Sequence, residues 1–182
     1  REMAWMQANY GNSNSAYDLL QQALEFAKKI PDPKLADIHI IEYSLGYNAA
    51  GMNNYPLSKK HYLNSLKLQK KYDPEDYESF QMTYNALGGI MWQEAKLDSS
   101  TYYFEESLKV LAKTDKSDLL NKYYRPSLVK MNLSILMNAL GKNQDAIDFV
   151  QEAVKGFEKY IQNTTDEGRI FQARKHQLVE IG

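Results

Sequence analysis

A small residue, a bulky one four positions later, and a second small one three positions after that form a pattern that occurs four times in this chain. The triplets are Ala16, Leu20 and Ala23; Ser58, Tyr62 and Ser65; Ser100, Phe104 and Ser107; and Ala146, Val150 and Ala153. Their first members fall at 16, 58, 100 and 146, so successive spacings are 42, 42 and 46 residues. Self-similarity at such a period is the signature of stacked supersecondary units, none of which buries its apolar face alone. Intervals of four and three place all three residues on one helical face. Small side chains on that face let a neighbouring helix approach closely, and the bulky one fills the groove between.

A second element precedes three of these segments: Tyr43-Ser-Leu45-Gly46-Tyr47, Asn85-Ala-Leu87-Gly88-Gly89, and Met131-Asn-Leu133-Ser134-Ile135. Its leucines keep the same 42- and 46-residue register. Apolar residues at helical spacing (Ile38, Ile41, Leu45, Ala49) and turn signals at Pro31 to Pro33, Asp73-Pro74 and Gly141 to Asn143 make each unit an antiparallel helix pair. Asp32 and Asp73, each before a proline, are expected to cap first helices, and Asn54 and Asp98 second helices. Pro126 would fall one turn inside the fourth first helix, so a delayed start or a kink is expected near Tyr123 to Arg125, where the four extra residues lie.

A Leu-Gly pair, a small or polar residue eight positions after the Leu, then small, bulky and small resembles the tetratricopeptide repeat. The matching positions are Leu45, Gly46, Asn53, Ser58, Tyr62 and Ser65; Leu87, Gly88, Ala95, Ser100, Phe104 and Ser107; and Leu133, Ser134, Gly141, Ala146, Val150 and Ala153. The first repeat shows its second helix through Gly11, Ala16, Leu20 and Ala23, with Met3 and Ala4 at the Leu-Gly places. The family's first-helix Trp and Tyr places hold Glu42 and Ala49, Tyr84 and Met91, and Lys130 and Met137. A 42-residue period is longer than the usual 34 or so, and resembles the long-helix subgroup of kinesin light chains and bacterial signalling proteins.

The resemblance implies an all-α, right-handed superhelical solenoid of antiparallel helix pairs. Four repeats are expected at about 1–32, 33–73, 74–115 and 116–162, with 163–182 as a capping or partial-repeat helix. The opening Arg1-Glu2-Met3, with an amphipathic pattern already under way, reads as a segment of a longer protein.

The concave wall of such a solenoid is lined by first helices and is the family's binding surface. Its groove-facing places carry Trp5; Ile40, Tyr43, Ser44 and Tyr47; Met82, Asn85, Gly89, Trp92 and Gln93; and Leu128, Met131, Asn132, Ile135 and Asn138. This wall is aromatic, amide-rich and nearly free of charge, which argues against the cationic clamp with which a family subgroup grips terminal carboxylates. Asn85, Asn132 and Asn138 are poor helix formers whose amides suit the backbone of an extended peptide. Tyr43, Tyr47 and Trp92 supply aromatic anchors, with Gln93 and Met131 beside them. The alternative is that the aromatics are repeat-to-repeat core and the asparagines simply solvated.

Catalysis finds no support in the sequence. His39, His61 and His176 stand apart from any His-x-x-x-His or Glu-x-x-His spacing, Gly88-Gly89 lacks a phosphate-loop context, and no Cys is present. Neither a metal nor a cofactor is expected. Lys59, Lys60, His61, Lys67, Lys70 and Lys71 read as an exposed basic face, offset by Asp73, Glu75, Asp76 and Glu78. A net charge of −1 removes any global pull toward nucleic acid. No run approaches the roughly 20 apolar residues of a membrane span.

The expected function is a non-catalytic scaffold for a peptide or protein, in the cytoplasm, or in the periplasm if a leader has been removed. The alternative is a sensory module fused to a histidine kinase, protease or DNA-binding domain. Self-association through the terminal helices, burying Trp5 or the Leu178 face, competes with a foreign partner.

Overall fold

The computed structural model describes residues 13–32 and 37–179, with side chains as far as 175. All regular structure among them is helical. Met3, Ala4, Trp5, Gly11, Pro33, Leu178 and the side chain of His176 lie outside the described residues. The chain divides into two compact units, Arg1–Lys96 and Leu97–Gly182.

In the first unit, helices α1 (Ser13–Ala27), α2 (Ile38–Gly51), α3 (Tyr55–Tyr72) and α4 (Tyr77–Gln93) each pack on the next, and α2 also touches α4. Ala16, Leu20, Leu24 and Ala27 of α1 close against Ile41, Leu45 and Ala49 of α2. The triplets explain how closely the helices approach. Ser58 and Ser65 are fully buried, and their hydroxyls donate 2.7 Å hydrogen bonds to the carbonyls of Gly46 and His39 across the α2–α3 contact. The Tyr62 ring occupies the space of the missing Gly46 side chain, where a Cβ would lie 2.7 Å from Cδ1.

The second unit holds α5 (Leu97–Leu111), a π-helical turn (Leu120–Tyr124), α6 (Arg125–Ala139), α7 (Asn143–Asn163) and α8 (Glu167–Val179). Ala153, Phe157 and Tyr160 of α7 form a core with Ala173 of α8, flanked by Tyr123, Tyr124, Leu128 and Met131. Ser100, Phe104, Ser107, Ala146 and Ala153 are buried as the pattern requires, whereas Val150, like Ala23 in α1, is half-buried.

The π turn is how the chain absorbs Pro126. A continuous α-helix would drive the proline ring into the carbonyl four residues earlier. Instead the Arg125 N–H reaches back to the Leu120 carbonyl, the wider turn ends, and α6 begins with Pro126 in its first turn. The delayed start therefore falls where the sequence placed it, and buried Asn121 accepts a hydrogen bond from the Arg125 guanidinium at the same joint.

Helices α2, α4 and α6 all end in one motif. Asn53, Ala95 and Gly141 adopt left-handed conformations with φ of 58°, 55° and 73°. The N–H of each bonds a carbonyl three residues back (Ala50, Trp92, Asn138), and the next N–H bonds one five back (Ala49, Met91, Met137). These paired bonds are the Schellman closure, which satisfies carbonyls the helix end leaves open. It explains why the eighth position after the Leu is Asn53 or Gly141, residues that turn left-handed readily, whereas Ala95 does so at a cost.

Three expected caps are not where the sequence puts them: Asp73, Asp98, and Asp32, which lies well before the helix that starts at Ile38. Asn54 caps α3 as anticipated, accepting from the Leu57 N–H at 3.2 Å. Asp73 instead closes the C-terminus of α3, its N–H bonding the Gln69 carbonyl, and Asp76 caps α4 by accepting from the Ser79 N–H at 3.1 Å. The cause is that α3 runs on to Tyr72, which leaves Pro74 in the turn. Asp98 lies within the first turn of α5 rather than before it. Helix α2 begins at Ile38, after Asp37 in a left-handed conformation that makes no side-chain cap.

Candidate binding surface

First and second helices divide the side chains differently. The second helices α3, α5 and α7 carry charge on their outer faces: Lys60, Lys67 and Lys70 on α3, Asp98 and Glu105 on α5, Asp148 and Glu158 on α7. The first helices carry fewer charges; on α6 they are Arg125 at its start and Lys130, which pairs with Glu152 at 2.6 Å. The one charge on α2 is Glu42, which is buried, and the one on α4 is Glu78 in its first turn.

On these helices some apolar groups nevertheless stay in solvent: Tyr47 on α2 is 58% exposed, Met82 on α4 38%, and Ile135 on α6 50%. All three are among the places that the tetratricopeptide resemblance leads one to expect in a groove. In the first unit Tyr43 is half-buried, its ring tilted against Tyr62 at 5.3 Å, and burial, with Tyr47 nearby, pushes its hydroxyl up to about 12. It therefore stays a neutral donor and acceptor at physiological pH. On α4 the same face runs from Met82 through Asn85 and Gly89 to Trp92. Asn85 and Trp92 are half-buried, Gln93 is exposed, and nothing lies within 4 Å of where a Gly89 Cβ would stand. The backbone is thus open at Gly89.

In the second unit, half-buried Met131 packs on the aromatic core of α7 and α8, so it is partly committed to packing. Asn132 is half-buried and Asn138 exposed. Asn85 and Asn132 each already make a contact with the protein. The first unit accordingly brings together Tyr43, Tyr47, Asn85, Trp92 and Gln93 on two touching helices, and the second holds Met131, Asn132 and Asn138 on one face of α6.

Sequence reasoning missed a buried hydrogen-bond chain. The Tyr17 hydroxyl lies 2.8 Å from His61 Nε2, and His61 Nδ1 lies 2.6 Å from the Glu42 carboxylate. With the carboxylate accepting from Nδ1–H, Nε2 accepts from Tyr17. His61 is therefore not part of an exposed basic face, as the sequence suggested, but a buried pin joining α1, α2 and α3. The available signal was Glu42, an acid where the next repeat has Tyr84. A cleft of about 870 Å³ beside α1, lined by Asp18, Gln21, Gln22, Glu25 and Lys28, reaches His61. Both ring nitrogens are already engaged there, so His61 presents that cleft no free donor or acceptor.

A second buried histidine, His39, sits with Nε2 at 3.5 Å from Asp76, and this neighbour, with the Ser79 hydrogen bonds, draws the Asp76 carboxyl down to about 2 against its partial burial. Among the described residues no three His, Cys, Asp or Glu side chains cluster closely enough to hold a metal ion, and no helix is long and apolar enough to cross a membrane.

No protein-family model matches the chain, and no curated protein matches it. Among solved structures, the crystal structure of BtubC (BKLC) from P. vanneervenii superimposes with a TM-score of 0.73 over 98% of this chain and 78% of that one. The two sequences are 17% identical, so the likeness is one of fold. It is that of an all-helical protein with a helical repeat fold, in which neighbouring helices pack in adjacent pairs.

Proposed function

We propose that this chain is a tetratricopeptide-type interaction module that binds a peptide or protein segment on its first-helix faces and performs no catalysis. The observation that carries the reading is the exposure of Tyr47, Met82 and Ile135 on first helices whose few charges are buried Glu42, first-turn Glu78, Arg125 at the start of α6, and Lys130, which is paired with Glu152. On α3, α5 and α7 the exposed apolar residues Leu63, Tyr102 and Ile147 stand among charges, whereas Tyr47 and Met82 do not. Large apolar side chains at groove-facing register offer anchoring area instead. Tyr43, Tyr47 and Trp92 would hold apolar side chains, and Asn85, Gln93, Asn132 and Asn138 would pair with the partner's backbone. Gly89 and Met131 shape the floors of the two faces.

Selection from a displayed random-peptide pool tests this. Peptides enriched on the wild-type chain should bind the Tyr47→Ala and Trp92→Ala variants at least about tenfold more weakly, the scale of an anchoring aromatic. Undiminished binding by correctly folded variants would reject the reading.

Self-association is a second reading, favoured by Phe171, which is 66% exposed on α8. Light scattering over a concentration series decides it: a dimer that Phe171→Glu dissolves supports it, and a monomer throughout rejects it.

A further inference from the structure

The structure reduces the basic run of α3 to a smaller and sharper feature. His61 is buried, and Lys59 is held by both carboxylate oxygens of Glu94, at 3.0 and 2.8 Å. What remains is Lys60, Leu63, Lys67, Lys70 and Lys71, all exposed, at intervals that keep them on one face of the helix. That face is opposite the buried one of Ser58, His61, Tyr62, Ser65, Leu66 and Gln69. From Lys60 to Lys71 it runs roughly 16 Å at the α-helical rise.

Among the described residues these lysines have no acidic partner. Helix α3 contains no acidic residue. Lys60, Lys67 and Lys70 enter none of the ion pairs among the described residues. Of the acids that follow in sequence, Asp76 is drawn away from them, since its carboxylate caps α4 and faces His39. Lys67 has like charges three and four residues ahead, an arrangement that weakens an isolated helix. The helix dipole favours Lys70 and Lys71 in the last turn, but it does not account for Lys60 or Lys67. Leu63, 41% exposed, sits between the cations.

We propose that this stripe of α3 is a second docking surface, for an acidic protein segment that sets an apolar residue among carboxylates. Charge complementarity selects the acidic partner, and Leu63 gives its apolar residue a contact. A single exposed leucine is too little apolar area to enter a bilayer. Duplex nucleic acid would leave Leu63 against phosphates. This surface is separate from the first-helix faces and does not rest on them.

The test uses a fluorescein-labelled helical peptide with glutamates at i, i+3, i+7 and i+10 around a central leucine, titrated by anisotropy into the whole chain. Wild type should bind saturably and more weakly as salt rises. The triple variant Lys60→Glu, Lys67→Glu, Lys70→Glu should bind at least about tenfold more weakly, and should instead capture the lysine-bearing version of the peptide. Lys155→Glu, an exposed change on α7, should leave binding within about twofold. The far-ultraviolet dichroism of every variant should match wild type, since all three lysines are exposed. The proposal is overturned if wild type shows no saturable binding or if Lys155→Glu loses as much as the triple variant. Tighter, equally lysine-dependent binding to a short DNA duplex or to phosphatidylserine vesicles would overturn it too.

Discussion

Glu42 and His61, 19 residues apart in sequence, meet through a 2.6 Å hydrogen bond buried between α2 and α3. At the matching places of the next two repeats stand Tyr84 and Lys130, so the polar pair with His61, joined by Tyr17, is particular to this repeat. Breaking one side leaves a buried polar group unmatched, which in comparable pairs costs about 3–5 kcal/mol. Glu42→Leu and His61→Leu singly should each lower stability on that scale. The double variant should lose markedly less than their sum. Urea denaturation of the four proteins gives the coupling directly.

Ala95 is the one non-glycine, non-asparagine residue at the three left-handed helix ends. A side chain there costs roughly 1 kcal/mol that glycine avoids. Ala95→Gly should therefore raise stability, and Gly141→Ala, at the matching place, should lower it by a similar amount. Thermal melts of the two variants check both signs.

Two helical glycines make opposite predictions. A Gly46 Cβ would press on the buried Tyr62 ring at 2.7 Å, so Gly46→Ala should destabilise by about 1–3 kcal/mol through overpacking. Around Gly89 the space is open. Gly89→Ala should be stabilising by up to about 1 kcal/mol from helix propensity alone, yet it should weaken peptide binding if the bare backbone there is used.

Asp76 sets an acid limb on stability. Its carboxyl is held down to about 2 in the folded chain against 3.8, chiefly by His39 and then, against partial burial, by the Ser79 hydrogen bonds. A group whose folded value is depressed stabilises fully above its ordinary range, and that contribution disappears as pH falls toward 2. The amount is at most about 2 kcal/mol. Urea midpoints for wild type should fall more steeply between roughly pH 5 and 2 than those for Asp76→Asn, which keeps a capping oxygen but not the charge.

The helix pairing was legible because its determinants are local and periodic: the triplets, the Leu register, the Asn54 cap, and Pro126 with its extra residues. The Asp73 cap was misplaced because a cap depends on where the preceding helix stops: α3 reaches Tyr72, Asp73 closes it, and the next helix starts only at Tyr77. His61 was illegible because it lies among lysines while its partners lie 44 and 19 residues away. Of the candidate surface, the residue types and faces could be read from the register. The uneven exposure of Tyr43 and Tyr47, one turn apart on the same helix, depends on the Tyr62 ring from α3 and could not.

The most direct measurement of the central claim is a methyl spectrum of the chain, labelled at methionine and isoleucine, titrated with a display-selected peptide. First-helix binding predicts saturable shifts at Met82 or Ile135, with Ile147 on the outer face of α7 unmoved. Shifts at Ile147 while Met82 and Ile135 stay still would contradict it.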